Sequence, residues 1–375
     1  MNFDLNEEQQ LFAASLKRFQ GKDYAFEARR RIIASDAGFG AEVWRSLAEL
    51  GALGLPLPSD FGGIGGGAVE LISTMEAFGG ALVVEPFVST VGLGARLLLL
   101  AGSSEQKARL LPRIADGSLR LAFAHREANA RYDVSQVAAS ATRDGGGYRL
   151  TGRKRTVLDA PVADRLIVSA RVVDRDGLIL LALVEPTARG VAMRPQRTLD
   201  GRRAADIEFD DVRVPIGDAM PLHANGVATI EAAIDFATAL TCAEAVGAMR
   251  YANDATLDYL KTRKQFGVTI GSFQALQHRM VDMVIDAEQA RSMASLACAA
   301  VDTESDATRR CHTVSAAKIR IADACRHIAQ ESVQLHGGMG MTDEMKVSHT
   351  FRRLTSIAQE FGDVDHHLAR FAATA

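Results

Sequence analysis

Apolar residues recur at helical spacing over the first third of the chain, in short punctuated runs through the middle, and at helical spacing again to the end. Leu11, Phe12, Ser15, Leu16 and Phe19 share one helical face, with Asn6 and Gln9 forming a capping-box pattern ahead of it. Val43, Trp44, Leu47 and Leu50 mark a second helix that Gly51 ends as a C-cap. Phe61-Gly-Gly-Ile-Gly-Gly-Gly67 reads as a flexible connector into a helix carrying Leu71, Ile72, Met75 and Phe78. Across 119–221 the runs Tyr148–Leu150, Leu166–Ser169, Leu178–Val184 and Ala205–Phe209 predict strands, and Asp144-Gly-Gly-Gly147 predicts a hairpin turn.

Beyond 222, amphipathic stretches at about 225–262, 272–302, 306–336 and 343–358 predict an antiparallel four-helix bundle. The expected fold class is therefore α+β. It comprises an N-terminal helical domain (1–118), a central antiparallel β-barrel or sandwich domain (119–221) and a C-terminal bundle (222–375). Strands and helices do not alternate, and Gly92-Leu-Gly94 falls in a helical stretch, which excludes a Rossmann unit.

Composition changes this picture little. The 375 residues are 47% hydrophobic and 24% charged with net charge −3, so neither nucleic acid nor an anionic membrane is expected as partner. No apolar run is read as reaching the roughly 18–20 residues that span a bilayer, and no export signal precedes the first helix. Cys242, Cys298, Cys311 and Cys325 form no CxxC pair, so buried free thiols and a reducing cytoplasm are expected, without a metal. The nine histidines form no HxxxH pair; His366-His367 at a chain turn read as solvated or near a cofactor. Lys17-Arg18, Arg29-Arg-Arg31 and Arg202-Arg203 read as solvated surface.

Two segments carry candidate chemistry. Arg263-Lys-Gln-Phe-Gly267 precedes Ile270, Phe273, Gln274 and His278, and Gln334-Leu-His-Gly-Gly-Met-Gly340 follows later. A pyrophosphate needs a guanidinium that pairs two oxygens and backbone N–H groups unobstructed by a Cβ. Arg263 supplies the first, and Gly337, Gly338 and Gly340 the second. The amides of Gln265, Gln274 and Gln334 offer donors and acceptors for ribose, adenine or pyrophosphate.

These segments resemble the carboxy-terminal signature of the acyl-CoA dehydrogenase family. Phe3–Gln9, Leu47–Leu55 with Phe61-Gly-Gly63, and Ser104–Lys107 with Leu111–Gly117 look like earlier segments of that family, so the resemblance runs the whole chain. More narrowly, Glu27–Arg30, Ala130–Asp133, Cys242–Gly247 and Phe361–His367 are similar to the small subunit of pimeloyl-CoA dehydrogenase. The resemblance implies FAD at a subunit interface. Arg263, Gln265, Phe266, Gln274, Gln334 and Gly338, with Gly337, would hold the adenine dinucleotide of the neighbouring subunit's flavin. It also implies an acyl-CoA substrate, electron-transfer flavoprotein as acceptor, and a dimeric or tetrameric homo- or hetero-oligomer.

The sequence departs from that family where the reaction needs its base. Phe361-Gly-Asp363 puts Gly362 where a Tyr-Glu-Gly segment carries Glu, and the alternative site on the first bundle helix holds Ala237, followed by Thr238. His125-Arg-Glu127 replaces a Thr-Glu-Pro flavin contact, and Thr156-Val-Leu158 replaces Trp-x-Thr. Asp363 is the candidate substitute base, with Asp365 and Glu360 nearby, against a capping role in a turn. Glu244, seven residues after Ala237, is about 10.5 Å further along the helix and reads as structural. Three expectations follow: a base-poor subunit of a heteromer, a self-sufficient homomer using Asp363, or a flavin-free interaction protein.

Overall fold

The computed structural model describes residues 7–173, 175, 178–221 and 226–374, so the capping pattern at Asn6 and the start of the Phe3–Gln9 likeness lie outside the described residues. The helices are α1 (Glu7–Lys22), α2 (Phe26–Ala34), α3 (Ala41–Glu49), α4 (Ala68–Ala81), α5 (Arg96–Ala101), α6 (Ser104–Ala115), α7 (Gly226–Thr262), α8 (Gln274–Thr303), α9 (Ala307–His336), α10 (Lys346–Gln359) and α11 (Val364–Ala373). The strands are β1 (Leu121–Ala124), β2 (Ser140–Asp144), β3 (Gly147–Leu158), β4 (Arg165–Val172), β5 (Ile179–Val184), β6 (Val191–Arg197), β7 (Arg203–Pro215), β8 (Lys264–Gln265) and β9 (Val268–Thr269). Two compact units emerge: Met1–Arg30 with Gly67–Val83 and Thr238–Ala375, and Arg31–Gly66 with Val84–Ala237.

The second unit is built on one sheet of order β1-β4-β2-β3-β7-β6, with β5 also on β4. Tyr148, Leu150, Leu166, Val168, Leu180, Ala182, Ile207 and Phe209 fill its core. Gly145 at φ +49 makes the tight β2–β3 turn that the glycine run predicts. The sheet is mixed, not wholly antiparallel: β1 and β2 both run parallel to β4. Parallel neighbours need a long connection, and the β2–β3 excursion between β1 and β4 supplies one. Val88–Ala95 forms a buried π-helical turn ahead of α5.

The first unit gathers α7–α10 around a core that includes Ala245, Met249, Met283, Ile321, Ile328 and Leu354. A fifth helix, α11, packs on α9, so the expected four-helix bundle is extended. Small residues let α4 and α7 cross at backbone contact. A Cβ on Gly79 would collide with the carbonyl of Glu244, and one on Gly247 with the carbonyl of Glu76. α7 is long and apolar enough, by length and composition, to cross a membrane, contrary to the sequence expectation. Its apolar window is 61% buried within the protein, as in the core helix of a globular chain.

Burial corrects several readings. Arg29, Arg202 and Arg203 are buried, not solvated. Arg29 donates from Nε to Leu82 O (2.7 Å), and Arg203 donates from Nη2 to Ser35 O (2.6 Å) and Ile33 O (3.2 Å). Arg202 pairs with Asp159 at 2.7 Å. The glycine connector is fixed, because a Cβ on Gly63 would overlap Leu57 and one on Gly67 the Asp302 carboxylate. That carboxylate accepts from Ala68 N and Val69 N, both at 2.9 Å, at the start of α4. Cys311 is part-exposed, while burial raises the thiol pKa of Cys242 to about 11 and of Cys325 to about 12.

Replacing Gly247 by Val forces α4 and α7 apart. The expected loss is about 3 kcal/mol or more, read as a lower urea midpoint with an unchanged m-value. Unchanged stability would show that the crossing tolerates side chains.

Candidate functional site

The first candidate segment grows directly out of α7. Arg263 N still donates to Tyr259 O (2.8 Å), and Arg263 O accepts from Ile270 N (2.9 Å). β8 and β9 pair Gln265 with Val268, leaving Phe266 (φ +54) and Gly267 (φ +80) as a two-residue turn of left-handed residues. Only Gly267 adopts that backbone without strain. The Phe266 ring stands 91% exposed, edge-on to Phe273 at 6.2 Å. Gln274 opens α8 and is exposed.

The second segment is the end of α9. Gln334 is exposed on its last turn, and Gly337 (φ +59) and Gly338 lie exposed just beyond. Beyond each glycine's own chain neighbours, no atom of the described residues stands within 4 Å of where a Cβ would sit on either glycine. Gly340 differs from the expectation: it is buried, and a Cβ there would stand 2.7 Å from Val333 O, so it serves packing. The rings of Tyr259 and His336 stack at 4.6 Å, which brings the ends of α7 and α9 together. His336 sits buried there, its Nδ1–H donating to Ser332 O at 2.7 Å.

These residues fit the phosphate-rich half of a dinucleotide. Arg263 is exposed and has no carboxylate within 4 Å among the described residues. Its guanidinium is therefore open to a ligand, beside uncovered glycine backbone and exposed amides.

The segment expected to carry a base is closed. α10 ends at Gln359, Phe361 turns left-handed (φ +60), Gly362 follows at φ +131, and α11 begins. A Cβ on Gly362 would meet both the His366 and His367 rings. Buried Lys318 donates to the carbonyls of Ile357 and Glu360, the latter at 2.7 Å, so a cation sits at the negative end of α10. Burial lowers the Lys318 pKa. Arg353 forks onto Glu244, Nε to Oε1 and Nη2 to Oε2, both at 2.7 Å, and its Nη1 reaches Glu360 at 3.1 Å. His367 is buried, not solvated, between Ser315 Oγ and Phe361 O, both at 3.3 Å.

Asp363 is the N-cap of α11, its Oδ1 accepting from His366 N at 3.0 Å. Asp365 is exposed on the first turn of α11. Ala237 and Thr238 are buried and carry no carboxylate.

The altered β segments are also occupied. His125 lies flat on Phe123 (5.1 Å between centroids) and bonds Ser169 Oγ at 2.8 Å. Lys154, fully buried, donates to Glu127 (2.7 Å), Ser169 Oγ (3.0 Å) and His125 O (3.1 Å). Burial, then Lys154, push the His125 pKa down to about 3, so the ring is neutral. Thr156 adopts φ +49 at a β3 bulge, and its N–H donates to Asp206 at 2.9 Å. The buried pair was not legible because Lys154 and Glu127 look like ordinary surface charges in sequence.

Comparison with known proteins matches three successive parts of the chain to the acyl-CoA dehydrogenase N-terminal domain (6–118), middle domain (122–212) and C-terminal domain (224–374). Probable acyl-CoA dehydrogenase YngJ of Bacillus subtilis is 31% identical over 360 residues, covering 94% of this chain and 93% of its own. Caffeyl-CoA reductase-Etf complex subunit CarC of Acetobacterium woodii is 30% identical over 84% of each chain. The solved ChsE4-ChsE5 complex from Mycobacterium tuberculosis superposes with TM-score 0.89 at 25% identity, covering 100% of this chain and 98% of that one.

Two outcomes are expected. Gly338→Val has room within the chain, so stability should change by less than about 0.5 kcal/mol while FAD retention is lost; retained FAD would mean that the glycine backbone does not face the cofactor. His125 and His367, the latter held neutral with a pKa of about 2 mainly by burial, take up protons on unfolding once the pH falls below about 6.5. Their stabilisation is complete above that pH and should drop by about 1.4 kcal/mol per histidine per pH unit toward pH 5, read from urea midpoints. His367→Gln should flatten that slope, and an unchanged slope would contradict the assignment.

Proposed function

The chain belongs to the acyl-CoA dehydrogenase family and is an FAD-dependent enzyme of that family, and from this premise we propose that it is the base-poor small subunit of a heteromer. The heteromer would convert an acyl-CoA thioester to the 2-enoyl-CoA. The carrying observation is a contrast: the dinucleotide-facing residues stand open, while the turn expected to hold a base is locked by buried partners.

FAD, when bound, supplies the acceptor for the hydride leaving the β-carbon. This chain's part is to hold the dinucleotide. Arg263 pairs the phosphates, the Gly337-Gly338 backbone approaches them closely, and Gln265, Gln274 and Gln334 orient the remaining polar groups. Phe266 presents an apolar face to the adenine ring. Removal of the α-proton needs a carboxylate within about 3 Å, and here Asp363 is spent on its helix cap. The partner subunit provides the base and the complete flavin pocket.

The ChsE4-ChsE5 complex gives a precedent for two unlike chains, and the likeness of 27–30, 130–133, 242–247 and 361–367 extends the proposal to the small-subunit type of pimeloyl-CoA dehydrogenase. The Etf complex of the Acetobacterium relative supports electron-transfer flavoprotein as electron acceptor. The proposal keeps the functional division of the chain at 118 and 221.

Asp363→Asn preserves the cap and removes the base, so turnover of the complex should stay within about twofold; Asp363→Ala should cost about 1 kcal/mol of stability. A loss of turnover in Asp363→Asn by about 100-fold or more would instead make Asp363 the base.

A further inference from the structure

Nothing in the family match explains why a buried histidine sits between Gln334 and Gly337. We propose that His336 is a positioning residue: its stack on Tyr259 clamps the Arg263 hairpin and the Gly337-Gly338 turn into one dinucleotide-binding surface. The inference rests on the reading that these two segments hold the adenine dinucleotide.

The geometry isolates the contact. Tyr259 lies four residues before Arg263 and donates nothing to the hairpin from its ring, while its backbone carbonyl accepts from Arg263 N. His336 is the last residue of α9 and directly precedes Gly337. Stacked at 4.6 Å with 27° between ring planes, the two rings join the ends of helices far apart in sequence. The Nδ1–H bond to Ser332 O fixes the rotation of the imidazole, so the ring cannot swing away from Tyr259. Ser332 is itself buried, its Oγ donating to Ala329 O at 3.0 Å, which anchors the last turn of α9. Burial also lowers the His336 pKa, which favours the neutral ring.

A ligand that spans both segments feels their spacing directly. Both segments carry exposed apolar side chains: Phe266, Met339 and Met341 are exposed by 91%, 50% and 71%. Leu260 and Leu335 pack in the same core just inside these ends, and the stack is the aromatic contact nearest the two exposed segments. It contributes by pre-organisation: loosening it leaves every contact group in place but adds an ordering cost to binding.

The test follows FAD release from the flavin-loaded complex by recovery of flavin fluorescence on dilution, alongside thermal unfolding. His336→Leu fills the space without stacking, and His336→Phe restores an aromatic face without the Ser332 bond. Release in His336→Leu should be about five- to tenfold faster at an unchanged unfolding midpoint, with at least half of that effect recovered in His336→Phe. Equal effects of Leu and Phe, or release unchanged in both, would overturn the clamp. Should His336→Leu lower the midpoint, the Phe-to-Leu ratio of release rates still decides, since the clamp requires it to favour Phe. Arg263→Ala separates the two levels. Faster release there with unaltered His336 variants rejects the clamp alone, whereas unaltered release in Arg263→Ala rejects the underlying site.

Discussion

Four buried charges decide what this protein can do. Glu244 and Arg353, 109 residues apart in sequence, meet in a two-pronged pair inside the helical core, and Arg353 extends to Glu360. Lys318 completes the set by holding the carbonyls at the end of α10. Breaking one side of such a pair typically costs about 3–5 kcal/mol, because the remaining charge stays buried without its partner. The arrangement therefore fixes where α10 stops, and with it the left-handed Phe361, the glycine against the histidine rings, and the cap made by Asp363. The turn where the resemblance places a base is here a structural joint.

The dinucleotide face follows the opposite logic. Phe266 holds a left-handed backbone and an exposed aromatic ring, two costs that a lone chain has no evident reason to carry. Strain and exposed apolar surface at one place mark a surface built to be covered. A rigid structural joint and an open face in one helical unit make the proposed division of labour between subunits the economical reading. In the β unit, neutral His125 and Glu127, the latter paired with buried Lys154, stand at positions where the resemblance expects flavin contacts.

The period of the apolar residues made helices and strands legible, because one-sided burial imposes a period of 3.6 or 2 on the sequence. α11 escaped because Gly362 and the polar run Asp363-Val-Asp-His-His367 look like a loop until His367 is seen buried against Ser315. The parallel placement of β1 escaped because pairing direction is set by connection length and neighbours. Arg263, Gln265, Gln274, Gln334, Gly337 and Gly338 are exposed, as a motif whose chemistry is local in sequence requires. The burial of Arg29, Arg202 and Arg203 was not legible, since whether a charge is buried depends on carbonyls and carboxylates supplied by distant segments. Gly340 likewise looked equivalent to Gly337 and Gly338 until packing separated them.

The most direct measurement is the anaerobic absorbance of the chain purified alone, supplied with FAD and then with an excess of acyl-CoA. The account predicts that any flavin band keeps its intensity, since Asp363 is taken up in the cap of α11, and that bleaching begins only when the partner subunit is present. Stoichiometric bleaching by the chain alone, within the time of a normal turnover, would contradict it.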